Sequence, residues 1–587
     1  MERELQRNKF FLKTVYGRYA AASVLAMLAT SMGGMIDTVI VGRYLGESGL
    51  AAMSLVSPVY LIYYTVGAVI GMGGSIAANL YIGKNDYDAY RRIFTLSFWM
   101  TIAACVFITA AALVFTEYFV SQSGGRGTVR EYAAEYLFYY SIGGSGTLLI
   151  YIPLNFLKSD GKPRASSMLF LLSSGLNVAL TWLFMSPVCG MGIKGAAIAT
   201  GISMSLTAAA GFLILFRKTP NTYLVKMRPE AGLMRKILAC GSPNGCNNLF
   251  QALKLMLING ALLGMGAAAS LPVFSLVKSV SDLACQIMVG IVSALMPIVG
   301  VYLGEKDAGS IRRVCRRAAW IGGIFTLSAS ALTALFPDVF CFLFNITELS
   351  ARRGSRSALL CLAASFLFAF PNIMLSGYFN TIQRPLLSNA VLFLRLLAFL
   401  APAVFLLRRV WGVNGVWISL AAAEAMTLAA ILLAVRCIQK RSPGLDKYLL
   451  DTEGGGEEIS FSVCNTVEDI MFASNKITDF CESAGLSVKK TMQVSLALEE
   501  MLTVIIEHCM GEKKGQFIDI RIVETGGEVL LRIRNAGKIF DPVRFYEENR
   551  DKKELAERVL GIKMIVGTAK NIEFRETFGM NNLMIRF

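Results

Sequence analysis

A single carboxylate, Asp37, lies in an otherwise apolar stretch running from about Ala20 to Gly42. An ionisable group at that depth costs roughly 3 kcal/mol or more in hydrocarbon, so it persists by facing a watery cavity or by pairing. The chemistry open to it is the gain and loss of a proton or the ligation of a cation. The plainer alternatives are an acid that stays protonated or one that caps a neighbouring helix. Gly33, Gly34, Gly42 and Gly46 flank it and permit close helix contact and a tight turn. Further along, Lys254, Lys278, Asp282, Arg395 and Glu424 also fall within or near apolar segments. Lys278 and Asp282 stand one helical turn apart, a spacing at which opposite charges neutralise each other. Basic groups in such places point to an anionic or zwitterionic substrate, or equally to structural salt bridges. The 12 cysteines form no C-x-x-C pair and His508 is the one histidine, so no metal site and no disulfide framework is expected.

The elements that must position these groups are long and apolar. With 55% hydrophobic and 17% charged residues, a soluble chain of 587 residues would expose far too much apolar surface. Stretches of about 20 residues, enough to span a bilayer, recur about twelve times. They are centred near Thr30, Val66, Ala104, Gly146, Asn177, Ser205, Met256, Ile287, Leu327, Leu367, Leu397 and Ala425. The first run is too long for a cleavable signal peptide. The net charge of +16 is uneven. Residues 451–587 hold 18 Lys and Arg against 23 Asp and Glu, and the rest hold 39 against 18. The excess base sits in the N-terminal tail (Arg3, Arg7, Lys9, Lys13) and in alternate loops, such as Lys84, Arg91, Arg92 and Arg312, Arg313, Arg316, Arg317. That pattern places both termini in the cytoplasm and predicts contact with anionic lipid headgroups rather than nucleic acid. Arg352, Arg353 and Arg356 break the alternation.

The membrane part repeats itself. YIGKNDYDAYRR at 81–92 matches YLGEKDAGSIRR at 302–313, an offset of 221 residues. Pro163 pairs with Pro385, and Gly192 and Gly195 with Gly412 and Gly415, at nearly the same offset. Two parallel six-helix halves follow, residues 1–221 and 222–437, with a site inside or between them. After a Gly- and acid-rich linker at 438–456, residues 457–587 alternate as a soluble α/β domain. EISFSVCN, IDIRIVE, EVLLRIRN, IEFRE and NLMIRF read as strands, a long helical stretch runs through Met510, and another helix spans about Lys552 to Gly567.

These marks carry a resemblance. I-D-T-V-I-V-G-R-Y-L-G around Asp37, the Y-I-G-K-N-D loop, G-L-N-V-A-L-T and G-I-K-G-A-A-I-A-T make residues 10–437 similar to the multidrug and toxic compound extrusion (MATE) transporters. The resemblance implies a cation-coupled exporter in which Asp37 changes protonation or binds sodium. The family's Asn-x-x-x-Asp pattern appears here as Asn177 and Thr181, so one expected carboxylate is missing, and Thr200 matches a polar position lining the same cavity. A proton is therefore favoured over sodium, because only one anionic ligand remains. The acidic site some members carry in the second half is not transferred, since residues 247–251 and 370–372 contain no acid.

Residues 493–587 resemble the ATP-binding domain of anti-sigma-factor serine kinases, within the histidine-kinase-like ATPases, through ALEEMLTVIIEHC, NAGKIFDP, LGI and GMNNLMI. The family's catalytic glutamate is present as Glu500. Val504 replaces the magnesium-binding Asn, Asn535 replaces the adenine-reading Asp, Gly537 remains, and the glycine-rich turn keeps Gly561 but has Val559. The resemblance thus implies an eroded pocket without working phosphotransfer and with doubtful ATP binding, serving a cytosolic protein partner; His508 is expected to be structural.

The combined expectation is an all-α membrane protein of twelve transmembrane helices in two lobes, with a cytosolic α/β sandwich domain. It would export small organic solutes across the cytoplasmic membrane and hold no tightly bound cofactor. A flippase for a lipid-linked or peptide substrate, and a membrane sensor signalling through the tail, are the alternatives.

Overall fold

Helix formation along the first 441 residues follows from apolar runs whose backbone groups must be satisfied within the segment. The computed structural model describes residues 9–122, 127–218, 222–265, 271–343, 349–450, 457–510, 516–549 and 556–587. Arg3 and Arg7 of the basic tail and residues 451–456 of the linker, both read from the sequence, lie outside them. The chain divides into a helical unit, Tyr16–Arg441, and a unit containing Ser442–Phe587.

In the first unit, α1 (Lys9–Gly83) is broken at Gly46, whose φ of 62° only glycine adopts freely. Then come α2 (Tyr87–Gln122), α3 (Thr128–Gly143), α4 (Ser145–Leu149), α5 (Tyr151–Ser159), α6 (Pro163–Met185) and α7 (Ile193–Lys218). The later half has α8 (Ala231–Leu263), α9 (Leu271–Ser293), α10 (Leu295–Gly304), α11 (Ala308–Leu335), α12 (Pro337–Leu343), α13 (Leu349–Thr381) and α14 (Pro385–Phe393). A π-helical turn at Leu394–Ala398 leads into α15 (Leu400–Arg441), itself broken at Gly412. Among the described residues nine helices are long and apolar enough to cross a membrane, or ten when the pair Thr128–Gly143 and Ser145–Ser159, bent by 47°, counts as one span. The protein is a multi-pass membrane protein.

The internal repeat is visible as backbone geometry. Asn85 and Lys306, 221 residues apart, both take positive φ (60° and 54°). Around them the same bonds form: Asp86 N donates to Tyr81 O and Asp307 N to Tyr302 O, each at 2.9 Å. Asp86 and Asp307 then cap the next helix, accepting from the amides of Ala89 and Ser310 at 2.9 Å. Gly161 and Gln383 repeat this before Pro163 and Pro385, with φ of 81° and 62°. At the two ends of this repeat the backbones touch. A Cβ on Gly83 would strike the Val301 carbonyl, and one on Gly304 the Leu80 carbonyl.

In the second unit five antiparallel strands form one sheet in the order β1-β2-β3-β5-β4: β1 (Glu458–Cys464), β2 (Phe517–Thr525), β3 (Glu528–Asn535), β4 (Asn571–Thr577) and β5 (Met580–Arg586). The register sets Ile520 opposite Ile533, and Ile533 opposite Leu583. With a side-chain period of two, Ile518, Ile520, Ile522, Leu531, Ile533 and Leu583 share one face and join the core with Ile477, Val494, Leu498 and Leu502 of the helices. The single long helical stretch expected before Met510 is two helices, α16 (Val467–Ser483) and α17 (Val488–Ile505). They are separated at Gly485, which takes φ 70° as a helix-ending glycine does. A short helix, α18 (Pro542–Asn549), is added to the elements expected, and α19 (Ala556–Thr568) precedes the last two strands.

Candidate functional site

Asp37 sits on the first limb of α1, where α1 runs against α6. A Cβ on Gly33 would lie 3.1 Å from the Ser174 side chain, so glycine sets that approach. The carboxyl is buried beside the Thr181 hydroxyl of α6. One turn earlier on the same face, Asn177 donates from Nδ2 to Oγ1 of Thr200 on α7 at 2.9 Å. Thr200 in turn donates to the Ala196 carbonyl at 3.1 Å. All four residues named from the sequence are thus buried on three adjoining helices. Among the described residues Asp37 has no cationic partner, and its Oδ1 and the Thr181 Oγ1 are buried without a hydrogen bond.

Two residues that sequence reasoning missed stand close by. Tyr60, on the second limb of α1, and Tyr136, on α3, both lie within electrostatic reach of Asp37, and the Tyr136 hydroxyl is beside Thr200. They belong to a ring cluster: Tyr136 stacks on Tyr140 at 5.9 Å, and Tyr60 and Tyr63 meet Tyr140 edge-on at 6.0 and 5.6 Å. The available signal was the helical spacing of Tyr60 with Tyr63 and Tyr64, and of Tyr136 with Tyr140. Geometries of this kind suit contact with flat organic groups as well as packing.

The later half is built differently. Arg395, on the π-helical turn, donates from Nε and Nη2 to Oε1 of Glu424 on α15 at 3.0 and 2.6 Å. Asn372 of α13 donates to Oε2 of the same carboxylate at 2.7 Å. The side chains of Arg395 and Glu424 are only 7% and 9% exposed. Asn372 lies in a stretch that contains no acid, yet α15 brings one to it. Lys278 and Asp282 of α9 form an ion pair at 2.6 Å, both partly exposed. Lys254 of α8 is half-buried near Glu424, Arg395, Cys285 and Asp282.

In the second unit the residues named from the sequence for a nucleotide pocket meet in two pairs, Glu500 with Gly561 and Asn535 with Gly537. Glu500 of α17 packs against Gly561 of α19 so closely that a Cβ on Gly561 would overlap its carboxylate. Val504 is part of the hydrophobic core and offers no oxygen. Asn535, at the end of β3, is spent internally: its Oδ1 accepts from Gly537 N at 3.0 Å and from Asn581 Nδ2 at 2.8 Å. Gly537 approaches the Cys509 carbonyl where no side chain fits. Val559 falls on α19, but its side chain is outside the described residues. His508 stacks on Phe540 at 4.6 Å and touches Phe545 at 4.8 Å. Burial pushes the Cys509 thiol up to about 11 and the Cys481 thiol likewise to about 11, so neither is an activated nucleophile.

Long apolar helices around a few buried polar groups define a membrane transporter fold. The chain belongs to the MatE family, which it matches over residues 22–183 and 243–405. Residues 465–587 match the histidine kinase-like ATPase domain. The multidrug export protein MepA of Staphylococcus aureus is 22% identical over 436 residues, covering 72% of this chain and 93% of MepA. Its counterpart in Staphylococcus saprophyticus is 20% identical over 438 residues, covering 72% of this chain and 93% of that protein. An outward-facing multidrug resistance MATE family transporter of the MOP superfamily shares the fold at a TM-score of 0.69 and 22% identity, over 73% of this chain and 96% of that one. The Vibrio cholerae MATE transporter VcmN does so at 0.69 and 18%, over 75% and 98%.

Proposed function

We propose that the chain is a proton-coupled antiporter that exports organic solutes across the cytoplasmic membrane. The observation that carries this reading is the Asp37 carboxyl, buried beside Thr181 with no cation paired to it among the described residues. Ionised, it needs water or a cation; protonated, it is neutral and the first limb of α1 can repack against α6. Two packings of one helix supply the bistable element that alternating access requires. The ligand oxygens are one carboxylate and neutral side chains, a set that suits a proton better than sodium. Drug export enters from MepA, named for it, and from membership of the family.

The architecture supported by the repeat is twelve spans in two six-helix lobes. To the long apolar helices are added the bent pair α3–α5, α8 with its internal Pro243, and a second span within Pro385–Arg441, broken at Gly412. The basic loops 84–92 and 305–317 then face the cytoplasm together with both termini. For residues 457–587 the oxygen-free Val504, buried in the core, supports a module that transfers no phosphate, and the role assigned to it is a regulatory one through a protein partner. No Mg-ATP step is assigned to it.

The test is efflux from liposomes containing the full chain, under separately imposed proton and sodium gradients. Transport driven by the proton gradient and lost in Asp37→Asn is the expected result. Undiminished proton-driven transport by Asp37→Asn refutes the coupling role. The tail's part is read by the same assay on a chain ending at Leu450.

A further inference from the structure

The polar groups of the later half do not balance. Among the described residues the group around Glu424 and Asp282 sets three cations, Lys254, Lys278 and Arg395, against these two carboxylates, and each carboxylate is already engaged. Asp282 is held by Lys278 on its own helix. Glu424 is held by both the Nε and Nη2 of Arg395 and by Asn372. Lys254 is the cation left over. Glu424, Arg395, Cys285 and Asp282 are the ionisable groups around it, and among the described residues none forms an ion pair or hydrogen bond with it. A half-buried ammonium beside carboxylates that are already paired elsewhere is costly, and an incoming anion lowers that cost.

The surroundings suit an amphiphile. Phe250 precedes Lys254 by one turn of α8, so both lie on one helical face. Its ring meets that of Phe393, at the end of α14, with centroids 5.8 Å apart. Phe393 is itself 48% exposed. Two touching rings one helical turn from a cation that has no ion pair among the described residues suit a flat organic body bearing negative charge.

We propose that this site takes an amphiphilic organic anion, its carboxylate or phosphate on Lys254 and its apolar body against Phe250 and Phe393. The inference rests on reading the chain as an exporter and names a substrate class for it. The anion's source is either a solute or a lipid headgroup.

Equilibrium binding of carboxyfluorescein and of ethidium to the full chain in phosphatidylcholine nanodiscs, with no gradient, tests it. Wild type is expected to bind carboxyfluorescein. Lys254→Gln should weaken it about tenfold and tighten ethidium, while Lys254→Arg restores the wild-type order. A structural role would move both dyes together, and the melting temperature of Lys254→Gln, expected at or above wild type, controls for folding. Carboxyfluorescein affinity equal in wild type and Lys254→Gln, or no carboxyfluorescein binding by folded wild type, overturns the proposal. Displacement of the dye by added phosphatidylglycerol identifies the headgroup as the anion's source; undisplaced binding identifies a solute. Binding is read without a gradient, so its failure and the failure of coupling through Asp37 are separate results.

Discussion

The two halves of the helical unit share turns at an offset of 221 residues, yet they treat buried charge in opposite ways. In the first half Asp37 is surrounded by hydroxyls, an amide and tyrosine rings, with no counter-charge among the described residues. In the second, Glu424 is fixed by a guanidinium and an amide at 3.0 Å or less. A carboxylate held that way has both oxygens engaged by partners from other elements, and breaking its pairing is expensive. The Asp37 carboxylate has only neutral groups about it among the described residues, which is what the proposed proton exchange requires. One scaffold, repeated, thus supports a paired site and an unpaired one, and the side chains rather than the backbone decide which is which.

The contrast is tested first where the effect is largest. Asp37→Asn should reduce gradient-driven efflux to the level of protein-free liposomes while leaving the melting temperature equal or higher, because it removes a buried charge. A marked loss of stability would mean that Asp37 is structural after all and the contrast fails. Glu424→Gln should do the reverse, destabilising the protein by about 3–5 kcal/mol, since it leaves the Arg395 guanidinium buried and unpaired. Thermal unfolding in detergent reads this, and Arg395→Met combined with Glu424→Leu should recover most of the loss. If Glu424→Gln melts like wild type, the second half is as switchable as the first.

A smaller effect extends the same distinction, between a filled site and an open one, to residues 457–587. Gly561→Ala sets a methyl where the Glu500 carboxylate lies, but that is the far end of a flexible side chain and turns aside, so the change should cost less than about 1 kcal/mol, read by hydrogen exchange of α17 and α19 in the full chain. Mildest is a pH effect. Burial raises the Cys509 and Cys481 thiols from the ordinary value near 9 to about 11. The folded state therefore keeps protons that the unfolded chain loses, so their contribution is whole below about pH 9 and fades between about pH 9 and 11. Exchange protection of this segment should fall across that window and lessen its fall in Cys509→Ala.

Much of this was legible from residue order. The alternation of Ile518, Ile520 and Ile522 with polar neighbours announces a half-buried strand, and one appears there. Lys278 and Asp282 could be paired by eye because an α-helix brings positions four apart together. The repeated Tyr-x-Gly-x-x-Asp loop foretold a repeated turn, and Asn85 and Lys306 make it. The pairing of Arg395 with Glu424 was not legible. The residues are 29 positions apart on different elements, and the π-helical turn that places Arg395 has no signature in its residue types. The same holds for Glu500 lying against Gly561, and for Tyr60 and Tyr136 coming near Asp37.

What the amino-acid order determined alone is everything governed by local periodicity and solvent preference: which segments are apolar, where they break, and that the chain is built twice over. What only the tertiary structure decided is the setting of each buried charge. That depends on whether an opposite charge from a distant helix arrives within about 3 Å, and an electrostatic energy falling with distance and rising with desolvation is set by packing.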